Sequence, residues 1–282
     1  MPEIPPVSPF LIAAEIACWL AGLGLLVRLL TGRLGPNRPA LAPWRVTVEG
    51  FVMCFLLIIA GAMLLPKAAT YLSNDVLGPA AHDSDWWQVM IGAAFQLGML
   101  GGALISFLIT SLSARTAPAI VAEPSLEPCT CRPILAGVTT FAIVLPLVTG
   151  IGFAWKALLT KFGFSVDEQE MVDLFRNASS PALLGAMVIL AVVIAPLTEE
   201  IVFRAFLFRF LRIHFPRWLA LTSSALIFAL LHGNILAFLP LFALGFFFSY
   251  AYERTGRIAV TMIAHALFNL HTILLVMNGV TS

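Results

Sequence analysis

The chain has 282 residues, of which 60% are hydrophobic and only 11% charged, with a formal net charge of +1 and a mean hydropathy of +0.96. A soluble domain carries about 25% charged residues, so this composition excludes a water-soluble globular protein and describes a polytopic membrane protein. Nucleic-acid binding is excluded too, because the sequence holds neither a basic tract nor a stacking motif.

Lipid satisfies no backbone polar group, so spans are helices or closed barrels, and apolar runs of about 20 residues read as helices. Eight such runs follow one another: Pro9 to Leu30, Val46 to Leu65, Gln88 to Leu112, Pro133 to Trp155, Pro181 to Phe203, Trp218 to Asn234, Leu236 to Tyr252 and Arg257 to Met277. They predict an all-α helical bundle of about eight transmembrane helices, taken as a single integral-membrane domain over residues 1–282. The N-terminus, MPEIPPVSP, lacks the basic n-region of a signal peptide, so the first run is expected to stay as a membrane helix. Gly98 and Gly102 make a GxxxG packing face in the third run. Only Gly233 and Asn234, with Pro240 beyond, separate the sixth run from the seventh. Cys18 and Cys54 lie inside apolar runs, unlike a disulfide framework, and Cys129 and Cys131 in PCTCRP read as loop thiols.

Of the 16 basic residues, all but Lys67, Lys156, Lys161 and Arg176 follow runs one, three, five and seven or sit at their ends. By the positive-inside rule that side is cytoplasmic, which puts both termini outside. The intervening segments Pro66 to Trp87 and Lys156 to Ser180 are acidic and read as solvated exterior loops.

A carboxylate inside the bilayer costs about 2.5 kcal/mol or more, which makes it a functional candidate by default. Glu15, Glu49, Glu199 and Glu200 are such acids. Glu49 follows Arg45 by four residues, and a local ion pair accounts for it. Glu15 has no evident partner in its own helix, which leaves a partner in another span or water. In TEEIVFR, Glu200 precedes Arg204 by four residues, the favourable order for a helical ion pair. Glu199 points about 100° away around that helix and needs another reason to exist. FALLHGN follows, with Phe228 and His232 one turn apart, and IAHALFNLH places His265 and Asn269 on one face of the last run. His271 falls on a different face of that helix and is set aside. Glu199 and His232 are equally far from residues 215–216, so a turn at Pro216 would bring two antiparallel helices together with these residues at the same depth.

These groups suffice to hydrolyse an amide. Glu199 could take a proton from water, His232 could hold that water, and His265 and Asn269 could donate N–H groups to an oxyanion. No G-x-S-x-G elbow and no H-E-x-x-H occurs, so neither a serine triad nor a zincin is indicated.

EEIVFR, FALLH and HALFN, in this order, resemble the E-E-x-x-x-R, F-x-x-x-H and H-x-x-x-N motifs of the CPBP (ABI) family, which includes the type II CAAX prenyl endopeptidases. The motif-bearing resemblance covers about residues 181–277, read as the catalytic core, with 1–155 supplying accessory membrane helices. It implies an eight-helix, glutamate-dependent intramembrane endopeptidase opening toward the cytoplasm. By matched position Glu199 is the general base, His232 its water-activating partner, and His265 and Asn269 the oxyanion stabilisers, while Glu200, Arg204 and Phe228 support them. No cofactor is expected; Zn²⁺ is the alternative, since His and carboxylate are suitable ligands. The expected partners are membrane lipid and a membrane-associated protein or peptide substrate, and the expected location is a bacterial inner membrane. Two other classes compete: a non-catalytic scaffold or bacteriocin-immunity protein, and a proton-coupled transporter.

Overall fold

A computed structural model describes residues 8–34, 41, 46–78, 84–116, 132–164, 174–175 and 178–279. Among these every regular element is helical: α1 Pro9–Leu30, α2 Val48–Leu77, α3 Asp85–Thr116, α4 Pro133–Lys161, α5 Pro181–His214, α6 Arg217–Leu231, α7 Ile235–Thr255 and α8 Ile258–Met277. The all-α polytopic bundle is therefore as predicted. Arg45, Cys129 and Cys131 lie outside the described residues, and so does the expected Arg45–Glu49 pair.

Local chemistry explains the helix ends. Proline opens α1, α4 and α5, where its missing N–H costs nothing. Thr47, Ser180 and Asn234 accept from the backbone N–H of Gly50, Leu183 and Ala237 and so cap α2, α5 and α7. Gly256 ends α7 at φ 64°, a left-handed turn that a side chain would disfavour. By contrast Pro66, Pro146 and Pro240 sit inside helices. Helix α2 passes Pro66 and α4 passes Trp155, so both acidic segments begin later than the apolar runs suggested. Prolines are tolerated within membrane helices because neighbouring groups satisfy the backbone that they free.

Seven helices are long and apolar enough to cross a membrane, and α6 is shorter, at 15 residues. At 1.5 Å per residue it reaches about 22 Å, less than the hydrocarbon core of about 30 Å. The chain stops helical pairing at His232 and reverses at Gly233, φ 64°. The sixth expected span is thus shorter than the other seven.

The chain forms two compact units: Met1–Leu41 with Pro128–Asn177 and Phe215–Ser282, and Ala42–Glu127 with Ala178–His214. In the first, α4 packs against α1, α7 and α8, and α6 packs against α7. Val144, Val148, Ala243, Leu244, Phe248 and Ala264 form its core. In the second, α2 and α3 pack backbone to backbone. A Cβ on Gly61 or Gly98 would collide with the other's carbonyl oxygen, and one on Gly102 with that of Leu57. Ser106, one turn further, donates to the carbonyl of Cys54 across the same seam at 3.2 Å. The GxxxG face is thus a real packing seam, completed by Gly61 from the facing helix.

Candidate functional site

The motif residues divide between the two units. Glu199, Glu200 and Arg204 belong to the second, and Phe228, His232, His265 and Asn269 to the first.

In the second unit the acids sit on α5, the least regular helix of the chain. Two π-helical stretches, Leu190–Ile194 and Ile201–Phe208, enclose the short α-helical turn Ala195–Glu200. The N–H of Ala195 donates to the carbonyl of Leu190, and that of Arg209 to Arg204, five residues back in each case. Pro196 supplies a local reason for the first stretch, since it lacks an N–H and its ring would clash with the carbonyl four residues earlier. Such π-helical insertions are frequent at functional sites. Within this segment Arg204 Nη1 lies 2.9 Å from Glu200 Oε1 as an ion pair, and both side chains are essentially inaccessible to solvent. The ion pair expected from spacing is present. Glu199 is half-buried.

In the first unit, Phe228 organises the site. Its ring is buried, 4.7 Å from the His232 ring and 6.3 Å from the His265 ring, edge-on to both. The phenylalanine of FALLH therefore contacts two histidines, one at the end of α6 and one on α8. Gly245 of α7 makes room for its ring: a Cβ there would sit 3.2 Å from the Phe228 ring and 3.1 Å from the Ala225 backbone. Phe248, with its ring 5.5 Å from His265, covers another side of the buried imidazole. Asn269 follows His265 by one turn of α8 and is half-buried.

His232 is exposed and caps the end of α6. Its Nδ1 lies 2.7 Å from the carbonyl oxygen of Phe228. A carbonyl only accepts, so Nδ1 carries the hydrogen, and in the neutral ring Nε2 is left as an acceptor. Sequence spacing placed His232 but could not tell which nitrogen does what, because that depends on where the helix ends.

One set of polar residues escaped the sequence reading. Glu15 of α1 receives two hydrogen bonds, from Trp19 Nε1 to Oε1 at 3.0 Å and from His271 Nε2 to Oε2 at 2.8 Å. Its own helix does provide a partner, since Trp19 follows by four residues, and the other comes from the histidine that was set aside. The i, i+4 spacing of Glu15 and Trp19 was the available signal; His271 needed the fold.

Residues 181–271 match the family model described as Type II CAAX prenyl endopeptidase Rce1-like. A Bacillus subtilis (strain 168) protein named "Putative membrane peptidase YdiL" is 33% identical over 89 residues, covering 32% of this chain and 36% of that protein. The chain thus aligns with little more than a third of that relative's length. No solved structure matches. The resemblance to the CPBP family holds over the segment that carries the three motifs.

Proposed function

We infer, from the CAAX-endopeptidase-like character of residues 181–271, that this chain is a membrane-embedded peptidase using Glu199 to activate water against a membrane-associated protein or peptide. The observation that carries this reading is the end of α6. Helix α6 has only 15 residues, about 22 Å against a hydrocarbon core of about 30 Å, and it ends at the exposed His232. In this reading that end lies below the membrane surface, where irregular backbone is tolerated only when buried in protein or lining a water-filled cavity, and it lines such a cavity. Water delivered to that depth is the reagent the reaction needs.

In this reading Glu199 accepts a proton from the water while His232 Nε2 accepts its second O–H. The water oxygen bonds to the scissile carbonyl carbon, and the charge passes to the carbonyl oxygen, facing N–H donors of His265 and Asn269. One such donor is worth about 2.7 to 4 kcal/mol in the transition state. Collapse of the adduct breaks the C–N bond as the proton held by Glu199 moves to the leaving nitrogen. Glu200 takes no part, since its charge is matched by Arg204. The basic segments face the cytoplasm, and the active-site cavity opens on the same side. Zn²⁺ remains a fit only in donor type: the one ring nitrogen of His232 left over from the Phe228 carbonyl, and a carboxylate, are suitable ligands. No step here requires the metal.

The decisive experiment is cleavage of a membrane-tethered peptide by reconstituted protein, wild type against Glu199→Gln. Turnover is expected to vanish in the variant while folding is unchanged. A variant that still cleaves overturns the mechanism, and a wild type that cleaves nothing favours the scaffold reading. Turnover is expected to survive a chelator; its loss, with recovery on adding Zn²⁺, would replace the metal-free mechanism.

A further inference from the structure

Helix α8 carries His265 and Asn269, and it is held at two places on either side of them. Toward its start, Gly137 of α4 admits Ile263 so closely that a Cβ on the glycine would lie 2.7 Å from the Ile263 side chain. Beyond Asn269, His271 points to another face. There Nε2 donates to Glu15 of α1 at 2.8 Å, and the ring stands edge-on to Phe141 of α4, centroids 6.0 Å apart. Trp19 fixes the second oxygen of Glu15 at 3.0 Å. The first hold is steric and resists displacement of the helix. The second is directional, because a hydrogen bond weakens steeply with misalignment, and so it resists rotation.

Helix α1 is otherwise almost wholly exposed along its apolar length, with 6% of its best apolar window buried. Such a helix could be kept against α4 by packing alone: the two approach so closely at Gly22 that a Cβ there would collide with the Ala142 carbonyl oxygen and lie 3.1 Å from the Pro146 ring. The carboxylate is not needed for that docking, and in lipid it is costly. We propose that Glu15 and His271 are positioning residues for the site on α8, a polar strut from α1 that sets the rotation of the helix and so the aim of His265 and Asn269. The proposal rests on the peptidase reading above. It gives the N-terminal helix, which carries none of the three motifs, a role in the reaction.

The test pairs a kinetic readout with one that needs no activity. Reconstituted wild type, Glu15→Gln, Glu15→Ala, His271→Asn and the Glu15→Ala/His271→Asn double variant are assayed for cleavage. In the same set, with Cys18, Cys54, Cys129 and Cys131 replaced by alanine, spin labels at the lipid-exposed positions Leu20 and Leu274 report the α1 to α8 distance distribution. The expected results are a kcat lowered about 10- to 100-fold by either alanine or asparagine change, as for a misplacement of about 1 Å, with KM nearly unchanged. The double variant is expected to be no worse than the singles, Glu15→Gln intermediate, and the distance distribution broader in each. Unchanged distributions overturn the strut, and broadened distributions with unchanged kcat overturn its positioning role. Additive losses in the double variant would show two independent effects and also overturn it. A wild type that cleaves nothing defeats the peptidase reading instead, and the distance distributions still decide whether the strut holds the two helices.

Discussion

At the scale of single residues, the adjacent acids of TEEIVFR have different fates, and energetics separates them. Glu200 and Arg204 are both fully buried at 2.9 Å, and removing one partner of a buried pair leaves an uncompensated charge that costs about 3 to 5 kcal/mol. Glu200→Ala is therefore expected to lower the melting temperature in detergent sharply, and Glu200→Met with Arg204→Met to recover much of the loss. An unchanged melting curve for the single variant would count against the pair as a stabilising element. Phe228 is a second such residue: truncating a buried phenylalanine costs about 3 to 5 kcal/mol, and here it also removes the ring contacts to His232 and His265. Phe228→Ala is expected to lose both stability and turnover, whereas Phe228→Leu is expected to keep most of the stability but lower kcat, since it fills space without the edge-on ring contacts. The pair Glu200–Arg204 was legible from the sequence because i, i+4 spacing is a local property of a helix. The tautomer of His232 was not, because the Phe228 carbonyl is available to Nδ1 only where α6 stops.

At the scale of elements, boundaries were legible wherever the punctuation was chemical. Ser180, Asn234 and Gly256 begin or end helices as their side-chain oxygens or absent Cβ require. Pro66 misled, because a proline in a membrane helix frees one carbonyl without ending the helix. The π-helical stretches around Glu199 have no periodic signature in an apolar run, where every face is greasy. They depend on Pro196 and on what packs around α5. Replacing Pro196 by Ala restores an N–H at that position, and the expected outcome is a regular α-helix there, a re-aimed Glu199 and reduced turnover without loss of stability. Turnover equal to wild type would show that the widened turns do not set the acid's position. In the α2 and α3 seam, Gly98→Val pushes a branched side chain into the Gly61 carbonyl, and overpacking of this kind costs about 1 to 3 kcal/mol. A lower melting temperature is expected for it, and little change for the same substitution at Gly101, where a Cβ meets open space.

At the scale of the whole molecule, one expectation concerns topology and takes its test from chemistry on the intact protein. Cysteines placed between Phe208 and Arg217 are expected to react with impermeant reagent from the cytoplasmic face only, and labelling from outside would invert the topology. Composition alone determined that the chain lives in lipid, because 11% charged residues leave no surface suited to water. The lengths of the apolar runs set the number and order of the helices, since a span needs about 20 apolar residues, and motif spacing set which side chains share a helix face, a property of the local 3.6-residue repeat. Only tertiary structure decided that Glu15 meets His271, residues at opposite ends of the chain, that Phe228 contacts His265 of another helix as well as His232, and that Gly61 completes the seam begun by Gly98 and Gly102. Those contacts join residues distant in sequence, and helical periodicity can say which way a side chain points but not which neighbour it finds there.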